Sequence, residues 1–312
     1  MSNSSNTSTD VNATIDTFVL THTEIIIWSA IFSVLDFLIV VFNLATIVTF
    51  IINRHLRRRS VYCLINLAVA DMLFGALIMP SDVIFNLTDI YFVEGQYIYC
   101  IFMVSSLFSL VLVSLDRVYA TFFPFQHRTT RLKTYIAVFT ITWILPFLFV
   151  LFYGYVKIKQ DIVVIVLLLC LLIICTSYSA IFIKVKIQAK RLQPNQQQTA
   201  AIQMRQKREH HLAMTLFIAT VLSLITWLPY VYILNRIFLF GYNDNIYRIF
   251  QTAVLIQNLN SLINPLIYVF RMRDFRKSLS RLIFSCSRDH HYLIVHHGNR
   301  DRIQVKRDEH EL

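Results

Sequence analysis

Seven long apolar stretches set the strongest constraint on how this chain of 312 residues folds. As a helix, each is long enough to cross the ~30 Å hydrocarbon core of a bilayer. Charged residues make up only 15% of the chain, whereas a soluble domain has about a quarter. The sequence therefore predicts an all-α membrane protein, a seven-transmembrane helix bundle. The stretches lie at about 25–52, 61–86, 92–122, 134–153, 161–188, 210–236 and 246–270.

Charges around the first stretch predict the orientation of the bundle, because basic residues concentrate on the cytoplasmic side of membrane proteins. Acidic residues precede this stretch and arginines follow it, namely Asp10, Asp16 and Glu24, then Arg54, Arg57, Arg58 and Arg59. We therefore expect a multi-pass plasma membrane protein with an extracellular N-terminus and a cytoplasmic C-terminus. The net charge of +11 lies mostly in short segments between the stretches, so nucleic acid is not an expected partner.

A polar tail at 1–24 precedes the predicted bundle, which covers 25–270. The tail is expected to be extracellular and glycosylated, because it holds Asn-x-Ser/Thr sequons. A fourth sequon falls on the predicted outer side of the bundle. The four acceptors are Asn3, Asn6, Asn12 and Asn86.

After the bundle, residues 271–285 alternate between apolar and basic side chains, which predicts an amphipathic juxtamembrane helix in contact with membrane lipids. A cytoplasmic tail at 286–312 follows. It begins with Cys286, which is either a palmitoylation site or a plain free thiol. Earlier in the chain, the low-complexity segment 189–208 predicts a short flexible linker.

Polar residues inside the apolar stretches need partners within the protein, because hydrocarbon solvates them poorly. Asn43 stands alone in the first stretch, and Asp71 lies in the middle of the second. Asp71 and four neutral side chains offer oxygens at similar depth, which suits a small hard cation. This set comprises Asp71, Ser106, Asn260, Ser261 and Asn264. The alternative is a hydrogen-bond network that only holds the helices together.

Two further patterns predict moving parts. Arg117, at the cytoplasmic end of the third stretch, is expected to pair with Asp116 and with Glu209; a pair that breaks is one way to build a two-state switch. The alternative for Arg117 is an interfacial anchor. The sequence Trp227-Leu-Pro229-Tyr230 places a proline kink beside a large aromatic, which indicates either a hinge below a pocket or bulk packing.

Over roughly residues 25–284, the chain resembles the rhodopsin-like (class A) G-protein-coupled receptors. The resemblance rests on the joint order and spacing of motifs that are weak singly. These are Asn43, Leu67-Ala68-x-x-Asp71, Ser106, Asp116-Arg117, Trp143, Trp227-x-Pro229, Asn264-Pro265-x-x-Tyr268 and the amphipathic helix at Phe275. The chain has no cysteine in the second outer loop and no proline in the fifth helix. In both respects it is similar to melanocortin, lipid and adenosine receptors.

The resemblance implies a receptor that carries an extracellular signal to heterotrimeric G proteins. Arg117 would engage the G protein when the sixth helix swings outward, with Tyr178 and Tyr268 supporting the open state and Glu209 holding Arg117 in the closed one. It also implies that the predicted cation site takes an allosteric sodium ion. Val118, Cys170 and Ser223 depart from the family pattern.

The resemblance also suggests which ligands are not expected. Tyr99 stands where amine receptors carry an aspartate, and Asn258 stands where opsins carry the retinal lysine. The mostly apolar pocket fits a small lipid-like or weakly polar ligand, with peptides as a second class. Its predicted lining is Tyr99, Cys100, Met103, Trp227, Tyr230, Leu234, Val254, Gln257 and Asn258.

Other functional classes are less well supported. The sequence has no H-E-x-x-H or G-x-S-x-G motif, so an enzyme is not expected. No inverted repeat is evident, as many transporters would have, although a small transporter stays an alternative. A second alternative is a receptor-like protein that is silent or constitutively active.

Overall fold

The computed structural model describes residues 21–56, 59–88, 93–156, 160–191, 200–241 and 244–284. Every regular element within these ranges is a helix, and seven of the helices are long and apolar enough to cross a membrane. The predicted seven-helix bundle is therefore confirmed. The predicted acceptor residues Asn3, Asn6 and Asn12 and the predicted lipidation site Cys286 lie outside the described residues. Asn86 is on a described helix, but its side chain is not described.

We number the seven long helices as spans, in chain order. They are His22–Ile52, Arg59–Thr88, Val93–Phe122, Leu132–Val156, Gln160–Arg191, Ala200–Phe240 and Asp244–Arg271. A short helix at Pro124–Thr129 joins the third and fourth spans. A terminal helix at 273–284 follows the seventh span, where the amphipathic pattern predicts it.

The prediction of a linker over 189–208 is wrong for much of that segment. The fifth span continues as a helix to Arg191, and the sixth begins at Ala200. Only 192–199 lies outside the described residues. Alanine, glutamine, lysine, arginine and methionine are all good helix formers, so both helices extend past the apolar stretches without a change of local preference.

The spans turn their largest apolar surface outward and their polar groups inward. Isoleucine, leucine and phenylalanine side chains of the fourth span are exposed at positions such as Ile141, Ile144 and Phe147. In contrast, Asn43, Asp71 and Asn264 are buried in the bundle. This arrangement suits a protein surrounded by lipid, because polar groups can find partners only within the protein.

The first and second spans approach closely at Gly75. A Cβ atom at this position would lie 2.9 Å from the backbone oxygen of Asp36 and 3.2 Å from Cγ2 of Ile39. Asp36 is itself fully buried on the first span. The prediction that Asn43 is alone in this helix is therefore wrong, because a buried carboxyl group lies two turns before it.

An aromatic cluster fixes the terminal helix against the bundle. The ring centroids of Phe50 and Phe275 are 5.0 Å apart, and Tyr268 packs edge-on against both rings. Phe275 is fully buried. His55 Nε2 also lies 3.3 Å from Ser278 Oγ. The first span, the seventh span and the terminal helix therefore meet in one packed unit.

Candidate functional site

The carboxylate of Asp71 is the centre of a buried polar cluster. Ser106 Oγ of the third span donates to Asp71 Oδ1 at 2.5 Å, and Ser261 Oγ of the seventh span donates to the same oxygen at 2.8 Å. Asn264 Nδ2 donates to Asp71 Oδ2 at 3.2 Å. Three donors thus offset the cost of burying this carboxylate. The structure brings together four of the five residues predicted for a cation site.

Asn260 is the predicted member that makes no bond to this cluster. Its side chain is buried, and neither of its polar amide atoms has a hydrogen-bond partner in the described part of the chain. Asn260 lies one helical turn before Asn264, on the same face of the seventh span. A buried amide without partners is costly unless water or an ion supplies them.

The donor set fits a sodium ion. A carboxylate, two hydroxyl oxygens and the unpartnered amide oxygen of Asn260 are hard oxygen ligands. Asn43 also supports the cluster, because its Nδ2 donates to the backbone oxygen of Ser261 at 3.0 Å and so holds that residue in place. A bound ion would join the second, third and seventh spans through one charge.

At one end of the bundle, Asp116 organises a second buried polar cluster. Its Oδ2 accepts from Arg117 Nη2, and both side chains are buried. On the other carboxylate oxygen, Tyr135 Oη donates at 3.1 Å, and His127 Nε2 lies 2.9 Å away. We call this end of the molecule the Arg117 end. The predicted pairing of Arg117 with Asp116 is present.

The second predicted partner of Arg117 is Glu209. Its backbone lies in the helical sixth span, but its side chain is outside the described part of the structure. Sequence reasoning missed His127 and Tyr135 altogether. The only sequence signals were a histidine in the connection between the third and fourth stretches and a tyrosine at the start of the fourth stretch.

Tyr178 and Tyr268 are both buried and occupy different clusters. The Tyr178 ring packs against Phe217 of the sixth span, with centroids 6.4 Å apart. Tyr268 belongs to the aromatic cluster of Phe50 and Phe275. Tyr178 of the fifth span thus contacts the sixth span. Tyr268 of the seventh span contacts the first span and the terminal helix.

Away from the Arg117 end, the predicted pocket residues lie on the third, sixth and seventh spans. Tyr99 Oη donates to Gln257 Oε1 at 3.3 Å, which joins the third span to the seventh. The rings of Trp227 and Tyr230 meet edge-on, with centroids 6.1 Å apart. Of the other predicted lining residues, Met103, Val254 and Asn258 are buried, and Cys100 and Leu234 are partly exposed.

Two buried polar atoms of these residues have no hydrogen-bond partner in the described part of the chain. They are the donor Nε1 of Trp227 and the acceptor Oδ1 of Asn258. The remaining residues are mostly aromatic or aliphatic. The residues predicted to line a pocket thus combine apolar side chains with one donor and one acceptor that have no partner in the described part of the chain, a composition common at small-molecule sites.

The comparison with known protein families decides the identity of this bundle. The family described as 7 transmembrane receptor (rhodopsin family) matches residues 42–161 and 155–268. The chain belongs to the rhodopsin family of seven-transmembrane receptors. This finding confirms the resemblance to class A G-protein-coupled receptors and makes the protein a multi-pass membrane receptor by family.

Individual relatives of the receptor agree with this assignment. This chain is 30% identical to trace amine-associated receptor 7c of Rattus norvegicus over 280 residues, which cover 77% of each chain. It is 29% identical to trace amine-associated receptor 7d of Mus musculus over 285 residues, again covering 77% of each. Identity to adenosine receptor A3 of Bos taurus is 23% over 268 residues, or 75% of this chain and 82% of the relative. These relatives are receptors rather than enzymes.

The residues that depart from the family pattern are accommodated by the receptor's packing. Cys170 is a buried thiol within the core, and Val118 is a partly buried residue packed against that core. Ser223 is buried, and its backbone oxygen accepts from Thr226 Oγ1 at 2.8 Å. The cysteines that the structure describes are free thiols.

Proposed function

We propose that this receptor transmits an extracellular ligand signal to heterotrimeric G proteins from the plasma membrane. In this proposal the N-terminus is extracellular, and the Arg117 end faces the cytoplasm. The observation that carries the proposal is the buried ion pair of Asp116 and Arg117 at that end. Arg117 holds its charge inside the protein here, so exposing it to a partner requires the pair to open.

In this proposal, the sixth span links ligand binding to the G protein. Pro229 lies inside this helix and removes one backbone hydrogen bond, which permits a bend. Trp227 is two residues away and fully buried below the pocket residue Tyr230. A ligand that displaces these rings would bend the span at Pro229. The Arg117 end of the sixth span would then swing outward and leave Arg117 accessible to a G protein.

The proposed ligand is a small, weakly polar molecule without a required ammonium group. Tyr99 bonds to Gln257 where amine receptors place a carboxylate, so this position offers no anionic partner to a cation. The unused donor on Trp227 and the unused acceptor on Asn258 would each take one polar group of the ligand. The names of the relatives include trace amines and adenosine, which are small molecules. A lipid-like molecule fits the same apolar lining, and a peptide is the second class to screen.

We also propose that sodium binds at Asp71 and stabilises the closed state. The ion would be held by Asp71, Ser106 and Ser261, with Asn260 and Asn264 completing the predicted site. A site of this kind links spans that must separate or slide when the bundle rearranges. Sodium would therefore oppose activation by favouring the arrangement described here.

The test is G-protein activation in cells that express the intact receptor, Arg117→Ala or Arg131→Ala at equal surface level. A panel of G-protein biosensors reports activation without a known ligand. We expect a basal signal that Arg117→Ala abolishes and Arg131→Ala retains, because Arg131 is an exposed arginine near the same end. A basal signal that is equal in all three would contradict coupling through Arg117. Absence of any signal, even with ligand screening, would favour a silent relative.

A further inference from the structure

The short helix Pro124–Thr129 is fastened to the third span by a single buried histidine. His127 is the one residue of that helix that is buried, and its neighbours Phe125 and Gln126 are exposed. The His127 ring also meets the ring of Tyr119 edge-on, with centroids 5.6 Å apart. The position of this helix thus depends on what His127 contacts.

Those contacts place His127 on the same carboxylate that holds Arg117. His127 Nε2 lies 2.9 Å from Asp116 Oδ1, whereas Arg117 binds Asp116 Oδ2. A carboxylate oxygen can only accept, so Nε2 carries the hydrogen of this contact. Tyr135 Oη donates to the same Oδ1 and is 3.2 Å from Nε2. Asp116 is therefore shared between a permanent cation and a group whose charge can change.

We propose that His127 is a proton-responsive positioning residue that sets how firmly Asp116 retains Arg117. The proposal rests on the proposed function of Arg117 as the residue that couples to a G protein. Histidine changes its charge between about pH 5 and 8, which includes the range of the cytosol. No other group on Asp116 does so, because arginine stays charged and tyrosine stays neutral in that range.

The sign of the effect follows from charge. When His127 is protonated and Arg117 is in place, two cations share one carboxylate and repel each other across it. When Arg117 leaves, the imidazolium keeps Asp116 neutralised and the repulsion is gone. The open state therefore binds the proton of His127 more tightly than the closed state. By linkage, acidification shifts the receptor toward the open state.

The groups around His127 leave this sign unchanged. The third span supplies Asp116, Arg117 and Tyr119, the fourth span supplies Tyr135, and the second span supplies Tyr62, which packs on Tyr135. Cys63 of the second span is a buried thiol and stays neutral. The exposed Arg128 and Arg131 add positive charge nearby in both states. Among these described groups, Asp116 is the only acid.

The test measures basal G-protein activation while the cytosolic pH is clamped between about 6 and 8. We expect the signal of the intact receptor to rise about threefold or more as the pH falls across this range. His127→Gln keeps a neutral N–H donor of similar reach, so its signal should be flat with pH. His55→Gln removes an exposed histidine at the same end and should keep the pH response of the intact receptor. A pH response in His127→Gln equal to that of the intact receptor would overturn the proposal, as would an Arg117-dependent basal signal of the intact receptor that does not change with pH.

A second measurement needs no G protein and separates the two proposals. Hydrogen–deuterium exchange of segment 124–129 is measured on purified receptor at each pH, with His127→Gln at the same pH as the reference for intrinsic exchange. The intact receptor should exchange severalfold more slowly than His127→Gln in this segment at the acidic end, because the imidazolium then pairs with Asp116 and holds the helix. Equal exchange at every pH would overturn the role of His127. If exchange responds to pH but no Arg117-dependent activation is seen, the proposed function fails and the role of His127 in holding the helix stands.

Discussion

Ser106 Oγ on the third span donates a 2.5 Å hydrogen bond to Asp71 Oδ1 on the second span. Both residues are buried in the centre of the bundle, and Ser261 and Asn264 of the seventh span bond to the same carboxylate. All three donors lie on the third and seventh spans, so moving either span away from the second would take hydrogen bonds from the buried carboxylate. The cluster therefore opposes a rearrangement of the bundle that separates these spans.

Replacing Asp71 with asparagine should abolish stabilisation by sodium, because the amide retains the shape but not the charge that attracts the ion. In detergent, we expect sodium to raise the Tm of the intact receptor by about 2–4 °C over equal potassium. The Tm of Asp71→Asn should not differ between the two salts. Asp274→Asn, which removes an exposed carboxylate, serves as the control and should keep the sodium effect. A sodium response in Asp71→Asn equal to the parent's would remove this site.

Gly75→Ala should destabilise the receptor although alanine is the better helix former. The added methyl group would lie 2.9 Å from the Asp36 backbone oxygen, and backbone cannot move aside as a flexible side chain can. We expect a loss of about 1–3 kcal/mol, larger than the propensity gain of about 1 kcal/mol. Thermal unfolding in detergent measures it, and Gly75→Val should lose more. An increase in Tm for both variants would show that the two spans are not in close contact.

Trp143→Phe should weaken the packing of the fourth span. Trp143 Nε1 donates to Asn66 Oδ1 at 3.1 Å, and Asn66 Nδ2 in turn donates to Ser109 Oγ at 2.9 Å. Phenylalanine leaves the buried Asn66 oxygen without its donor, at a cost of about 1–3 kcal/mol. Trp28→Phe is the matched control, because that indole stacks on Phe32 at the edge of the bundle. Equal losses in the two variants would assign the effect to ring size rather than to the hydrogen bond.

Much of the architecture was predictable from the sequence, because crossing a bilayer requires long apolar helices. The polar face of the seventh span also followed from spacing, since Ser261 and Asn264 lie three residues apart and meet Asp71 together. Sequence spacing could not predict that the Asn260 amide has no bond to Asp71, because that depends on the rotation of the helix and on a side-chain rotamer.

Other features depend on contacts that sequence patterns do not encode. The burial of Asp36 depends on the close approach of Gly75 from the second span, and the pattern of the first stretch alone does not encode that approach. His127 reaches Asp116 from the short helix after the third span, and Tyr135 reaches it from the first turn of the fourth span. Contacts between a connection and a helix end have no periodicity, so a sequence pattern does not predict them.

The most direct test of the central claim uses the ion pair of Asp116 and Arg117 without any ligand. Asp116→Asn removes the charge that holds Arg117, so it should release Arg117 and raise coupling. Nucleotide exchange on purified G proteins is measured with receptor in nanodiscs. We predict that Asp116→Asn increases exchange several-fold over the intact receptor, and that the double variant with Arg117→Ala returns to the rate without receptor. Exchange in the double variant equal to that of Asp116→Asn, or no exchange above background with any G protein, would contradict the account.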